Sequence, residues 1–483
     1  MSDAQVQALP SVLILGGINT VARHLAVSLC ARQGGRVDGR SPLVKPVFSN
    51  ADGIVIQHLR IVDKYSVQPA TTYLDPEFKK CLAELPEIVE YRQLNLTIQS
   101  KVEEALQPPQ AKGIEKFDYV FDLTGETRYD RPEIIHIQQT YTLPLNIAKH
   151  AASLPTALRP SAYIRLTFPF YQMNSSSPSS GYGEAFLPNP DYKKKSKGFF
   201  SGGKDKEESF SEGFGMRPDG IRGRWWHEAV RAIGAIGSGD SEEGSERLSF
   251  AVVRVGEIYG EGYCDKSQVL GRLVVGHIYQ NNKEEMKFLY NPDLRMHTVH
   301  VQDVVRSLFT TAQWIAGLGQ GEAARVEADR LAGVTIPSAW YRATDVERQA
   351  LDTVVKRGDM SLNLVDKGRK VVVPYFNVVD EADTTQDTLA RSIAALYKIK
   401  YGFHGSIVST LVSQFQKMDF SEMVDDVNED HMEIWQKMLE QSDPPILDTP
   451  ISPYLDDHAF RSAYTSAAQH QLNVTLTDWR NSV

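Results

Sequence analysis

The sequence predicts an α/β fold: a doubly wound parallel sheet, a smaller C-terminal lobe and a helical C-terminal tail. Three observations predict it. An apolar strand at 11–15 runs straight into Gly16-Gly17 and then into a helix-period pattern. Strand-like runs then alternate with helical stretches through the first half, which is how a parallel sheet is wired, because parallel neighbours need a crossover between them. The second half turns to short strands and helices and ends in an acidic helical stretch.

Composition narrows the class. The chain has 483 residues, long for one core, so two lobes or a large domain with insertions are expected. It is 42% apolar and 23% charged, the balance of a globular chain. A formal net charge of −9 argues against a general binder of phosphate backbones, so no nucleic acid partner is expected. There is no apolar run of about 18 residues and no basic-then-apolar start, so no membrane association and a cytoplasmic location are expected. Cys30, Cys81 and Cys264 are scattered without metal-ligand spacing and read as buried thiols in a reducing compartment, with no metal site.

The elements follow in order. The turn after the first strand fits the spacing G-x-x-G-x-x-G as Gly16, Asn19 and Ala22, with Gly17, Thr20 and Val21 between or beside them. A tight turn there lets a pyrophosphate sit against backbone N–H groups at the positive end of the following helix. Asn tolerates left-handed backbone and Ala allows close helix–strand packing, although a strand-to-helix connection with no ligand reads the same way. Residues 34–53 are a loop rich in Gly, Pro, Ser and Asn. A strand at 57–62 ends at Asp63, placed to accept both hydroxyls of an adenosine ribose and to repel a 2′-phosphate, which points to NAD with NADP disfavoured; the bland alternative is a carboxylate capping a turn. Residues 90–96 are a third strand, with Thr97 expected to N-cap a helix at 98–106. The strand at 117–123 ends in Thr124-Gly125, small enough to let backbone approach a cofactor. A long helix at 132–152 leads to a fifth strand at 162–167.

Residues 174–222 break the rhythm as an exposed polar insertion whose lysines, from Lys193 to Lys206, are either a phosphate patch or solvated charge. A helix resumes at 224–236, and a further strand spans 248–254. Short elements lie around 296–305, a strand at 371–373 and a helix at 385–397. The amphipathic stretch 432–439 reads as a packing helix, because basic residues are few.

By the strand at 248–254 the residues resemble a family. Besides the glycine turn, Asp118-Tyr-Val-Phe-Asp-Leu-Thr-Gly125, Val253-Arg-Val-Gly-Glu-Ile-Tyr-Gly-Glu-Gly262 and His297-Thr-Val-His-Val-Gln-Asp-Val-Val305 look like successive segments of the extended short-chain dehydrogenase/reductases, the NAD-dependent epimerase/dehydratase group. The resemblance covers roughly 10–400. It implies a Rossmann-type NAD(P)-binding domain at 10–255 interrupted at 174–222, a mixed substrate lobe at 256–400, and a mainly helical extension at 401–483. Arg254 would meet a carboxylate below the cofactor or pair within the sheet, and Tyr259-Gly260 would shape the wall near the nicotinamide. His300 and Asp303 would fix backbone by hydrogen bonds.

The family's chemistry uses a Ser or Thr at the end of the fifth strand and a Tyr and Lys four positions apart on the next helix, where the ammonium lowers the phenol's pKa. Thr167 takes the first position. On the helix containing Arg222-Gly-Arg-Trp-Trp-His227, the register puts His227 at the Lys position and Gly223 at the Tyr position. The substitute donors are Tyr182 or Tyr192 from the insertion, or His227 itself, which titrates near neutrality but reads equally as a packed residue. Arg224 or Arg231 offers positive charge near the ribose, and Arg295 stands close to where such families clamp a substrate diphosphate.

Two functional readings result. One is an NAD-dependent oxidoreductase or epimerase acting on a hydroxyl-bearing small molecule, a sugar nucleotide among the candidates. The other is a relative that binds NAD without turnover, as a sensor or interaction subunit. A fold without any cofactor is a third reading. The sequence leaves oligomeric state open, with a homodimer as the assembly to test.

Overall fold

In the computed structural model, the described residues are 9–30, 55–128, 130–171, 218, 220–237, 247–262, 268–288, 292–293, 296, 298–340, 349, 351–354, 356, 362, 364–382, 384–404, 421–447 and 449–454. The loop at 34–53 lies outside them, as do nearly all of the polar insertion with Lys193 to Lys206, Tyr182, Tyr192, Arg295 and Cys264.

The chain as far as residue 255 builds six strands: β1 (Ser11–Leu15), β2 (His58–Asp63), β3 (Val89–Gln93), β4 (Tyr119–Asp122), β5 (Ala162–Thr167) and β6 (Phe250–Val255). They pair in parallel in the order β3-β2-β1-β4-β5-β6, the doubly wound arrangement of a Rossmann-type sheet. Alternation along β1 explains both layers. Val12 and Ile14 face one core with α1 (Thr20–Cys30) and α2 (Pro76–Glu84), while Leu13 and Leu15 face another with α3 (Gln99–Leu106). Strands buried on both faces read as continuous apolar runs, which is why they are legible from sequence.

Two elements differ from expectation near β4 and β5. The single helix expected at 132–152 is divided into α4 (Glu133–His136), a π-helical segment (Ile137–Thr142) and α5 (Leu143–Ser153). Pro144 lies in the first turn of α5 and has no N–H to close an ordinary turn, a sufficient reason for the local widening. Thr97 does not cap α3: its hydroxyl donates to Asn95 Oδ1 at 2.8 Å, and Ile98 takes the N-cap position without a side-chain bond.

Crossing from β5 to β6 is α6 (Gly220–Gly237), which packs with α3 and α5 on the second face. Beyond β6 come β7 (Glu257–Tyr259), α7 (Gln268–Asn282), β8 (Met286–Phe288), β9 (Thr298–His300) and α8 (Val301–Gly317), the last of these on the α1 face. After α9 (Glu322–Ala332) the chain returns to the large sheet: β11 (Val372–Val378) pairs in parallel with β6, and β10 (Gly333–Thr335) pairs antiparallel with β11. Two strands from the stretch that the sequence assigned to a separate lobe therefore complete an eight-stranded sheet. The smaller lobe keeps β7 paired with β9, and β8 paired with β12 (Tyr401–Phe403), beside α7 and α10 (Gln386–Tyr397). Thr385 and Thr388 form a reciprocal cap at the start of α10. The tail helix α11 (Ser421–Glu440) touches α7, as a packing helix should.

Among the described residues no helix is long and apolar enough to cross a membrane. Cys30 and Cys81 are both free and buried, and the hydrogen bond that the Cys30 thiol donates to Cys81, together with burial, raises the Cys30 thiol well above its usual range.

Candidate functional site

The C-terminal ends of β1, β2 and β4 are level, because Leu15 stands opposite both Val62 and Asp122. The strand order reverses between β1 and β4, and such a switch point is where open α/β sheets take ligands, in the crevice outside the strand ends. Gly16 turns the chain at φ +77°, and a Cβ on it would stand 2.7 Å from the Leu123 carbonyl oxygen. Both the backbone angle and the approach to the end of β4 demand glycine. The Gly16 and Gly17 N–H groups donate to Val62 O at 3.1 and 3.0 Å, tying the turn to β2.

Asn19 does more than tolerate its place. Its Oδ1 accepts from Ala22 N at 2.9 Å, capping α1, while its Nδ2 donates to Gly16 O at 2.8 Å and Leu123 O at 3.1 Å. Main-chain N–H groups of Gly16, Gly17, Ile18 and Ala22 are thus engaged by protein; among the described residues, those of Asn19 and Val21 have no partner. They flank Thr20 at the positive end of α1 and are what the turn offers an anion. The Ala22 side chain is fully buried in the α1 core, as close helix–strand packing requires.

Asp63 ends β2 beside this turn. The sequence places it 47 positions after Gly16, but strand pairing brings its Oδ2 to within 3.2 Å of Ile18 N, and its Oδ1 accepts from Tyr65 N at 3.3 Å. Burial pushes its carboxyl up, and the Ile18 and Tyr65 N–H groups pull it back.

Across the crevice, Thr124 turns inward. Its hydroxyl donates to Asp122 Oδ1 at 2.6 Å and accepts from Arg165 Nη1 at 3.1 Å. Asp122 and Arg165 form a fully buried ion pair at 2.8 Å, and the Tyr163 hydroxyl donates to Asp122 Oδ2 at 3.0 Å. Sequence reasoning passed over this network. Its signal was one charged residue in each of two neighbouring apolar strands, at positions that turn out to be register partners.

Gly125, at φ +130°, lies under the indole of Trp226: a Cβ there would be 2.5 Å from Cζ2. The small residue expected to admit a cofactor instead admits a tryptophan from α6. Thr167, at the end of β5, is 2% exposed and opposite Arg254. Arg254 donates to Asn377 Oδ1 at 2.6 Å and lies between the rings of Tyr171 and Tyr375.

The helix expected to bear the acid/base pair is closed to it. A side chain at Gly223 would meet the Phe170 carbonyl oxygen at 2.2 Å, so no phenol can occupy that position. His227 is 1% exposed; its Nε2 donates to Pro337 O at 2.6 Å, which leaves Nδ1 to accept from the Tyr171 hydroxyl at 3.1 Å. Both nitrogens are used by protein, and burial holds the imidazole neutral with a pKa lowered to about 4. As a general base, the role the sequence offered it, His227 has no ring nitrogen to give a substrate. Arg231 is likewise committed, donating to the carbonyls of Val365, Asp366 and Arg369. His300 caps α8 by accepting from Gln302 N, and Asp303 pairs with Arg306 at 2.9 Å.

A pH dependence follows from His227. Its folded value lies below the unfolded 6.5, so the stability that comes from burying it neutral is complete above that pH and is lost as pH falls toward 4. Between pH 7 and 4.5 the loss from this site is expected to be about 2–3 kcal/mol. Urea unfolding across that range should show it, and His227→Gln should flatten the profile. An unchanged slope would refute the assignment.

No protein-family model matches the chain. No curated protein matches it either. Solved structures similar to it include the UDP-glucuronic acid 4-epimerase of Bacillus cereus in complex with NAD, 10% identical over 83% of this chain and 91% of that one, at a TM-score of 0.41. The ADP-L-glycero-D-manno-heptose-6-epimerase of Helicobacter pylori is 11% identical over 82% and 85%, at 0.41. The UDP-glucose 4-epimerase of Thermus thermophilus in complex with NAD is 11% identical over 82% and 85%, at 0.40. The Rossmann-type fold rests on the strand order itself, independently of these likenesses.

Proposed function

We propose that the chain binds NAD at the crevice between β1 and β4 and is an oxidoreductase or epimerase of the epimerase/dehydratase type, acting on a hydroxyl-bearing small molecule of the sugar-nucleotide kind in the cytoplasm. One observation carries this reading: the Gly16 turn, the positive end of α1 and the Asp63 carboxylate meet at the switch point of the sheet. Phosphate wants the first two, and a ribose diol wants the third. The residues there fit the adenosine diphosphate part of a dinucleotide. Around Gly125 they do not fit the nicotinamide part while the Trp226 indole covers it. Hydride chemistry at this site would require the indole to leave Gly125; the chain's own residues, as placed, bind and orient the adenosine diphosphate end.

Turnover is measured as hydride exchange with a panel of alcohols and sugar nucleotides. Loss of turnover in Tyr182→Phe or Tyr192→Phe supports a phenol donor from the insertion, and retention in both removes it. Arg295→Ala is the corresponding test of a substrate diphosphate clamp. The second reading is NAD binding without turnover; the filled space at Gly223 and the engaged nitrogens of His227 leave the helix itself without an acid/base pair. Quenching of NADH fluorescence without exchange on any substrate of the panel selects it. A homodimer is tested by sedimentation.

Asp63 makes a separate prediction. NAD is expected to bind at least about tenfold more tightly than NADP, equivalent to about 1.4 kcal/mol, and Asp63→Ala is expected to narrow the gap by weakening NAD. Equal affinities in the unaltered protein would remove Asp63 from the ribose.

A further inference from the structure

Placing a dinucleotide on this sheet makes a geometric demand that one side of the crevice does not meet. With the adenosine ribose at Asp63 on β2 and the diphosphate at the Gly16 turn, the strand order β2-β1-β4-β5 sends the rest of the ligand over Thr124, Gly125 and the end of β5. Thr124 and Thr167 are buried there, and Gly125 is half-buried against Trp226. The Trp226 indole lies on Gly125, where an added Cβ would be 2.5 Å from Cζ2 and 2.7 Å from Cη2.

The indole is held from several directions. Its Nε1 donates to Glu126 O at 2.8 Å, and Phe168 and Phe170 meet it edge-on at 5.4 and 5.8 Å between centroids. The Arg165 guanidinium lies 4.9 Å from its ring. Trp226 is 2% exposed. Phe168 follows Thr167 directly, so the same ring cluster also covers the end of β5. Arg165 is fully buried, and its Nε and Nη2 have no hydrogen-bond partner, so the indole face is what its charge rests on there. Removing the indole therefore uncovers both the Gly125 backbone and a buried cation.

We infer that Trp226 sets the ligand specificity of the crevice: it closes the nicotinamide end, so that ligands carrying an adenosine diphosphate group bind through that group alone. ADP, ADP-ribose and NAD then bind alike, because the nicotinamide riboside of NAD finds no surface on the sheet edge. The inference rests on the reading of the Gly16 turn as a nucleotide site, belongs with the reading of binding without turnover, and names the part of the nucleotide that is recognised. The ligand class is adenosine diphosphate and its esters.

The test is calorimetric titration of the full chain with ADP, ADP-ribose and NAD, repeated on Trp226→Ala and on Trp226→Phe. The second variant keeps a ring in the cluster should the first not fold, and thermal melts check both. In the unaltered protein the three dissociation constants are expected to agree within tenfold. In the variants that fold, NAD is expected to tighten relative to ADP, by tenfold or more in Trp226→Ala. NAD binding tenfold or more tighter than ADP in the unaltered protein overturns the inference while leaving the site standing, as does an NAD-to-ADP ratio that no folded variant changes. Binding of none of the three ligands overturns the nucleotide site and this inference with it.

Discussion

Arg165→Met is expected to destabilise the protein by about 3–5 kcal/mol, because it leaves Asp122 charged and without its cation in a site from which water is excluded. Both partners are fully buried at 2.8 Å. Asp122 would keep the Tyr163 hydroxyl and the Thr124 hydroxyl and N–H, three dipoles with no net charge among them. Dipoles offset part of the desolvation of a carboxylate, and a guanidinium offsets more. Replacing both members, Asp122→Leu with Arg165→Met, is expected to cost less than Arg165→Met alone, since no charge is then stranded. Urea unfolding of the two single variants and the double closes a cycle that isolates the pair. A loss below about 1 kcal/mol for Arg165→Met would mean that the pair is solvated or dispensable, against its burial. The readout bears on the crevice too, because the same guanidinium supports the Trp226 ring.

How much of this was legible beforehand depends on how local the cause is. The strands β1 to β6 and their helices are written in runs of apolar residues, and the strand order follows from crossovers. The glycine turn is legible because backbone geometry at Gly16 admits almost nothing else. Asp63 comes to lie beside the turn despite the long loop before it, since strand pairing and not chain length fixes how close the end of β2 comes to the turn. The return of β11 to β6 was not legible: more than a hundred residues separate the two strands, and an apolar strand carries no mark of which sheet will accept it. Thr97 shows the same limit at short range, because the nearby Asn95 took the hydroxyl that would have capped α3. The site failed at α6. Trp225-Trp226-His227 reads as a helix with an available imidazole, but its chemistry is decided by Pro337, Tyr171 and Gly125, each more than fifty residues distant. Tyr182, Tyr192 and Arg295 lie outside the described residues and stand as proposals only.

Gly16→Val is the variant expected to affect binding and folding together, and the two effects can be separated. A β-branched side chain at φ +77° costs about 1–3 kcal/mol in backbone strain. Its Cβ would also stand 2.7 Å from Leu123 O and 3.1 Å from Thr124 N, and since these are main-chain atoms of the β4 end, the turn must move, at a further cost of about 1–3 kcal/mol. Movement of the turn breaks the bonds from Gly16 and Gly17 to Val62 O and draws Asn19 away from Ala22, loosening the first turn of α1. Nucleotide binding is expected to be lost, because the turn and the helix end that carries the Asn19 and Val21 N–H groups are displaced. Asn19→Gly provides the contrast: it removes the cap and the two bonds from Nδ2 while leaving Gly16 in place, with a stability loss below about 1 kcal/mol. If the crevice takes a diphosphate, Asn19→Gly should retain or strengthen binding, since it restores the second glycine of the turn and clears a side chain from the helix end. If Gly16→Val binds nucleotide as well as the unaltered protein does while melting earlier, the turn is a structural joint between β1 and β4, and the ligand lies elsewhere.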